Sequence, residues 1–366
     1  MEVVTPSEDI TYYEDYYSAV GLEEFEPCKK AHIREFSNAF LPVFYSITCI
    51  LSVVANLTLL IIFIKYKTLR KVFPVNMVIS DIVFTLTLPF WAVYASGEWI
   101  FGYDSCKAVT LVYTVSLYSS NLFFASMGLQ RFLDNVMYNI KMFRSPKRNT
   151  IMCILVWIIS ALAAIVHAHF VETHEFDKQN ICTYHFGDKA AWKIYVRFQM
   201  NFLGFVIPFL VLLFCSIRLQ CFASERTTLQ RHVPAKFEAG FTIVFFLLWF
   251  PYGVVIFLHT LQDLHVFHAC TINIHFDVAI QVTECIAFLH VIVNPLLYVF
   301  LNKKIRRRLK GICSTPREYL LEESNSSSVA LSQNGAFELS SVHRFQARDR
   351  NNSWAERPGI IIPEAT

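Results

Sequence analysis

With 366 residues, of which 54% are hydrophobic and only 17% charged, the chain is too apolar for a water-soluble domain of this size. A mean hydropathy of +0.41 places it in a bilayer. The net charge of +3 says little as a total, because acidic and basic residues are sorted along the chain, and no nucleic-acid partner is expected.

Residues 1–39 are polar, and up to Cys28 they hold Glu2, Glu8, Asp9, Glu14, Asp15, Glu23, Glu24 and Glu26 with no Lys or Arg. The first residues have neither a basic nor an apolar region, so no cleavable signal peptide is expected. This composition predicts a segment that is disordered when unbound. Its simplest role is a solvated tail; the sharper one is an electrostatic trap for a basic protein, with Tyr12, Tyr13, Tyr16 and Tyr17 beside Glu14 and Asp15 as candidate sulfation sites.

Residues 41–64 contain no charged side chain, and at about 1.5 Å of rise per residue a helix of about 20 residues crosses the hydrocarbon core. Six further runs pass the same test, at about 72–96, 108–130, 151–171, 198–217, 239–262 and 278–301. The expected fold is therefore an all-α membrane protein, a seven-transmembrane helix bundle over 40–301. Lys65, Lys67, Arg70 and Lys71 follow span one, Lys141, Arg144, Lys147 and Arg148 follow span three, and Arg218, Arg226, Arg231 and Lys236 follow span five. Basic loops stay in the cytosol, so the amino terminus is expected outside and the carboxyl terminus inside. The run Lys303-Lys304-Ile305-Arg306-Arg307-Arg308-Leu309-Lys310 predicts a short amphipathic eighth helix over 302–313, lying on membrane lipid.

Four of the ten cysteines, Cys28, Cys106, Cys182 and Cys270, fall in segments expected outside, where oxidation is permitted. Four cysteines allow three connectivities, and the residues alone do not choose. Cys313, just past the basic run, is a candidate for palmitoylation. From Ser314 to the end the apolar periodicity is lost, and Ser324, Ser326, Ser327, Ser328, Ser332, Ser340 and Ser341 mark 314–366 as a phosphorylatable, disordered tail.

Polar groups inside a span need a reason in a medium without water. Asp81 lies in mid-span two, and Glu284 about a turn and a half inside span seven, where it would face the bundle cavity within reach of a cationic ligand group. Arg131 closes span three between Gln130 and Phe132, at a boundary where it must snorkel or find a protein partner. Pro89, Pro208, Pro251 and Pro295 each remove a backbone hydrogen bond from a span and so mark bends. Pro251 follows Trp249-Phe250, and Pro295 lies in Asn294-Pro295-Leu296-Leu297-Tyr298, which couples aromatic bulk to both bends.

These marks resemble the rhodopsin-like G-protein-coupled receptors, over roughly 28–313. Asn56, Asp81, Arg131, Trp157, Pro208, Trp249-Phe250-Pro251 and Asn294 to Tyr298 carry the class. Thr87-Leu88-Pro89-Phe90-Trp91, Trp99-Ile100-Phe101-Gly102, Pro251-Tyr252 and Gln281-Val282-Thr283-Glu284 are similar to the chemokine-receptor branch. Within it, Arg197-Phe198-Gln199 and Phe257-Leu258-His259-Thr260-Leu261 look most like the atypical scavenger (decoy) receptors for inflammatory CC chemokines. The resemblance implies a multi-pass plasma-membrane receptor, not an enzyme, whose partners are a basic chemokine, arrestin and a heterotrimeric G protein. It implies disulfides Cys106–Cys182 and Cys28–Cys270, a ligand pocket with Trp91, Tyr113 and Glu284, and an internal sodium site at Asp81 and Ser120.

Four departures bear on signalling. Coupling members of the family usually carry Asp-Arg-Tyr where this chain has Gln130-Arg131-Phe132, and an apolar run where it has Asp134 and Asn135. Ser216 stands where a tyrosine usually supports the active state, and span four lacks the usual proline near His167. Glutamine can hydrogen-bond Arg131 but not neutralise it, so the resting state is expected to lose a charge-assisted contact. Ser216 and Asp134 oppose coupling, and the balance predicts an atypical receptor that binds, internalises or presents its ligand with weak G-protein coupling. The alternatives are a conventional chemokine receptor acting through inhibitory-class G proteins and, from another class, a membrane transporter. A transporter usually carries internal repeats or broken half-helices around a midplane site, and the sequence has neither.

Overall fold

The structure, a computed structural model, describes residues 31–66, 71–136, 146–176, 179–187, 190–224, 232–264, 270–302, 305–307 and 309. Among the described residues, seven helices are long and apolar enough to cross a membrane: Asn38–Lys65, Val72–Ser96, Tyr103–Asn135, Lys147–Phe170, Ala191–Cys221, Glu238–Gln262 and His275–Leu301. All seven expected spans are present, most of them longer than the apolar runs because helices outrun the hydrocarbon core.

In span one, Val43, Ile47, Ile50, Val54, Leu57, Ile61 and Ile64 recur every three or four residues and are exposed, while Leu59, Ile62 and Phe63 are buried. An apolar stripe open to the surroundings is the inverse of a soluble helix and suits a lipid-facing side. Span three is the most enclosed and packs on spans two, four, five and six. Its inward face carries small polar residues, Ser116, Ser119, Ser120 and Asn121, all buried, which bond within the bundle.

The prolines shape the spans, and neighbouring helices repair what they break. Span two divides at Leu86-Thr87, and its second helix, Leu88–Ser96, carries Pro89 in its first turn. Span seven divides at Leu289, between helices Cys270–Phe288 and His290–Leu301. Each proline leaves without a donor the carbonyl four residues before it. For Pro295 that is Val291, which accepts from Asn56 Nδ2 at 2.7 Å. For Pro208 it is Gly204, inside the π-helical turn Phe202–Val206, which accepts from Asn121 Nδ2 at 2.8 Å. For Pro89 it is Thr85, reached by Cys49 Sγ at 3.8 Å. Asn56 is thus a bracket between spans one and seven, and Asn121 one between spans three and five.

One element was not anticipated. Strands β1 (Val171–Phe176) and β2 (Gln179–Tyr184) form an antiparallel hairpin between spans four and five, with Thr173 opposite Cys182. The Cys106–Cys182 disulfide ties β2 to the outer end of span three, with Cα atoms 5.9 Å apart. Trp99 N bonds Asn180 O at 2.8 Å, and Trp99 Nε1 bonds Gly102 O at 2.8 Å. Gly102 has φ 86°, a left-handed turn that favours glycine.

Lys303–Thr366 forms a second unit, in which Ile305, Arg306, Arg307 and Leu309 are helical. An eighth helix over 302–313 is not shown by these few residues, and Cys313 and the tail lie outside the described residues.

Candidate functional site

Two sites emerge, at opposite ends of the bundle. The outer one is a cavity of about 850 Å³ whose lining includes Trp91, Tyr113, Tyr184, Arg197, Tyr252 and Glu284. Trp91, Tyr113 and Glu284 therefore come together as expected. Tyr113 Oη donates to Glu284 Oε1 at 3.4 Å, and the Trp91 ring meets Tyr113 edge-on at 5.6 Å. Trp91 Nε1 is buried with no acceptor among the described residues. On the opposite wall, Arg197 Nη1 donates to His259 O at 3.1 Å. The cavity thus offers a half-buried carboxylate, an aromatic wall and a guanidinium.

Below it, at mid-bundle, Asp81 is fully buried. Ser120 Oγ donates to Asp81 Oδ1, Asn294 Nδ2 approaches Oδ2 at 3.4 Å, and His290 Nε2 lies 3.9 Å from Oδ1. The oxygens of Asp81 and Ser120 suit a small hard cation, while Asn294 and His290 turn nitrogens to it, so water would have to complete an oxygen shell. The His290 ring also packs, tilted, against Trp249 at 5.2 Å. Trp249 begins an aromatic column that continues through Phe245 at 6.2 Å, Phe124 at 5.8 Å and Phe241 at 4.8 Å. The column ends on Arg131, whose guanidinium carbon lies 4.4 Å above the Phe241 ring.

That arginine is the inner site, and here the structure corrects the sequence reading. Arg131 does not lack a carboxylate: its Nη1 meets Glu238 Oε2 at 2.5 Å, with the Glu238 side chain 0% exposed and that of Arg131 18%. Glu238 opens span six, one residue before the apolar run, and it stands in a stretch whose other charges, Arg231 and Lys236, are basic. A lone acid at that edge was the available signal. Gly128, one turn before Arg131, makes the room, since a methyl group there would overlap Glu238 Oε1 and Leu212.

The other expected switch residues surround this pair. Phe132 packs with Leu133, Cys215 and Leu219, and its ring meets Phe214 at 5.6 Å. Asp134 is exposed, whereas Asn135 Nδ2 bonds back to Arg131 O at 2.7 Å, so only the former presents its polarity outward. Ser216 is buried and accepts from Gln220 Nε2 at 3.3 Å within its own helix. Tyr298 is buried against Phe63 at 5.8 Å, and Gln130 is half-buried. Tyr12, Tyr13, Glu14, Asp15, Tyr16, Tyr17 and Cys28 lie outside the described residues, so the Cys28–Cys270 pairing does too.

A buried chain of hydrogen bonds was also missed. His167 Nε2 meets Tyr118 Oη at 2.9 Å, and His167 Nδ1 meets Tyr184 Oη at 2.8 Å.

Residues 55–298 match the family model described as 7 transmembrane receptor (rhodopsin family). The chain is 35% identical over 295 residues to mouse (Mus musculus) atypical chemokine receptor 2, a match covering 78% of each chain. It is 30% identical over 315 residues to human (Homo sapiens) C-C chemokine receptor type 4, covering 84% of this chain and 87% of that one. Human C-C chemokine receptor type 1 is 30% identical over 309 residues, covering 82% and 87%.

Proposed function

Given that the chain belongs to the rhodopsin family of seven-transmembrane receptors, in its chemokine-receptor branch, we propose that it binds a basic CC chemokine for uptake or presentation, with weak G-protein coupling. In this reading the acidic amino terminus, with Glu14, Asp15 and sulfated Tyr12, Tyr13, Tyr16 and Tyr17, draws in the ligand. The cavity then receives a cationic group of the ligand at Glu284. The observation that carries weak coupling is the buried Arg131–Glu238 pair, which holds the arginine away from any transducer. Ser216 supplies no ring to support Arg131 once released, and exposed Asp134 puts charge on the docking surface. Arrestin, guided by the serine-rich tail, is then the main cytoplasmic partner.

A sodium ion held by Asp81 and Ser120 belongs to the same proposal and would balance the buried carboxylate. Replacing sodium by choline should then alter ligand affinity in the native receptor but not in Asp81→Asn; equal responses in both would remove the ion from the account.

The reading is tested with a panel of CC chemokines on the full chain, scored in parallel for binding, nucleotide exchange by inhibitory-class G proteins, and arrestin recruitment. Saturable, salt-sensitive binding with little exchange is expected. Binding with robust exchange would favour the conventional signalling receptor, and no binding by any chemokine at low ionic strength would end the chemokine reading.

A further inference from the structure

Tyr118 lies in span three and is 0% exposed, and His167 is the one hydrogen-bond partner of its hydroxyl among the described residues. A buried hydroxyl hydrogen needs an acceptor, so Tyr118 must donate to His167 Nε2. A neutral imidazole that accepts at one nitrogen carries its proton on the other. His167 Nδ1–H therefore donates to Tyr184 Oη, which fills an acceptor site on that oxygen and leaves the Tyr184 hydrogen to point elsewhere.

Elsewhere is the cavity. Tyr184 closes β2, two residues beyond disulfide-bonded Cys182; it is 37% exposed and lines the same cavity as Glu284. We infer that Tyr118 and His167 are positioning residues that lock Tyr184 as a hydrogen-bond donor aimed into the cavity, where it binds a carbonyl oxygen of the peptide segment held at Glu284. A tyrosine phenol ionises only at about pH 10, so Tyr184 keeps its hydrogen at physiological pH. The aromatic packing of Tyr184 on Phe186, rings 5.7 Å apart and 5° from parallel, holds the phenol still.

This inference rests on the chemokine reading, and its test separates the two. The probe is the CC chemokine that binds most tightly in the panel, used intact and with its amino-terminal segment removed, on the full-length receptor in nanodiscs. Tyr184→Phe should weaken the intact probe about tenfold and leave the truncated one unchanged. Tyr118→Phe frees the imidazole to take either tautomer, so it should weaken the intact probe severalfold and reduce the further loss caused by Tyr184→Phe. Independently of ligand, nitrogen NMR of labelled histidine in the native receptor, with the His167 signal assigned by its absence from a folded His167→Asn variant, should show His167 protonated at Nδ1 and bare at Nε2. Unchanged binding in Tyr184→Phe, or the opposite tautomer, overturns the inference while leaving the chemokine reading intact. Absence of any saturable binding overturns both.

Discussion

At the outer cavity Glu284 is half-buried, with a long hydrogen bond from Tyr113 and no ion pair among the described residues, whereas at the inner mouth Glu238 is wholly buried and ion-paired with Arg131. Both are carboxylates on spans lined by aromatic rings, and they differ in what completes them. Glu284 opens onto a cavity of about 850 Å³, and no described cation pairs with it; in the proposed reading its countercharge is supplied by the ligand. Glu238 has its countercharge already, and Gly128 is shaped to admit it. Among the described residues, the outer carboxylate is thus without an ion pair and the inner one has its partner.

The contrast can be broken from either end, and the largest effect is expected outside. Truncating one member of a desolvated charge pair across an interface costs about 2–5 kcal/mol. Glu284→Gln should accordingly weaken chemokine binding about 30-fold or more, measured by radioligand competition, with expression unchanged. Retained affinity would mean that the cavity is not where the ligand's charge is met.

The next effect lies inside. Removing one partner of a buried ion pair leaves the other uncompensated, at a cost of about 3–5 kcal/mol to the state that contains the pair. Glu238→Gln should therefore raise basal nucleotide exchange about tenfold and lower the resting state's thermal stability. Gly128→Ala, which crowds the same carboxylate, should move both readouts in the same direction by less. A silent Glu238→Gln would show that the pair does not restrain the arginine.

How far these two sites were legible differs for a physical reason. The spans, their orientation and Glu284 follow from local composition, since an apolar run of bilayer length and an isolated carboxylate within it need no partner to be recognised. The hydrogen bonds lost at Pro89 and Pro295 were visible, but not their repair by Cys49 and Asn56, because the repairing side chains come from another span. The partner of Arg131 is 107 residues away, and that of Tyr118 is 49, so neither leaves a local pattern. The hairpin escaped notice because Val171-Glu172-Thr173-His174-Glu175-Phe176 is short and polar, and its stability comes from the disulfide and Trp99. The Cys106–Cys182 pairing came from family resemblance; the cysteines themselves left three connectivities open.

The smallest effect is expected at the amino terminus. Replacing Glu14 and Asp15 by Gln and Asn should slow association about threefold at low ionic strength, and the difference should vanish near 1 M salt, where the screening length falls to about 3 Å. A loss that persists in high salt would make these residues part of a desolvated interface and extend the outer site to them.

In the proposed reading, ligand capture and transducer release are separated by the Arg131–Glu238 pair. The most direct test is chemokine-stimulated nucleotide exchange in the native receptor and in Glu238→Gln, side by side, with the probe at saturation. Little exchange in the native receptor and a clear gain in the variant, at unchanged chemokine affinity, is the predicted result. Robust exchange in the native receptor, equal to that of the variant, would contradict it.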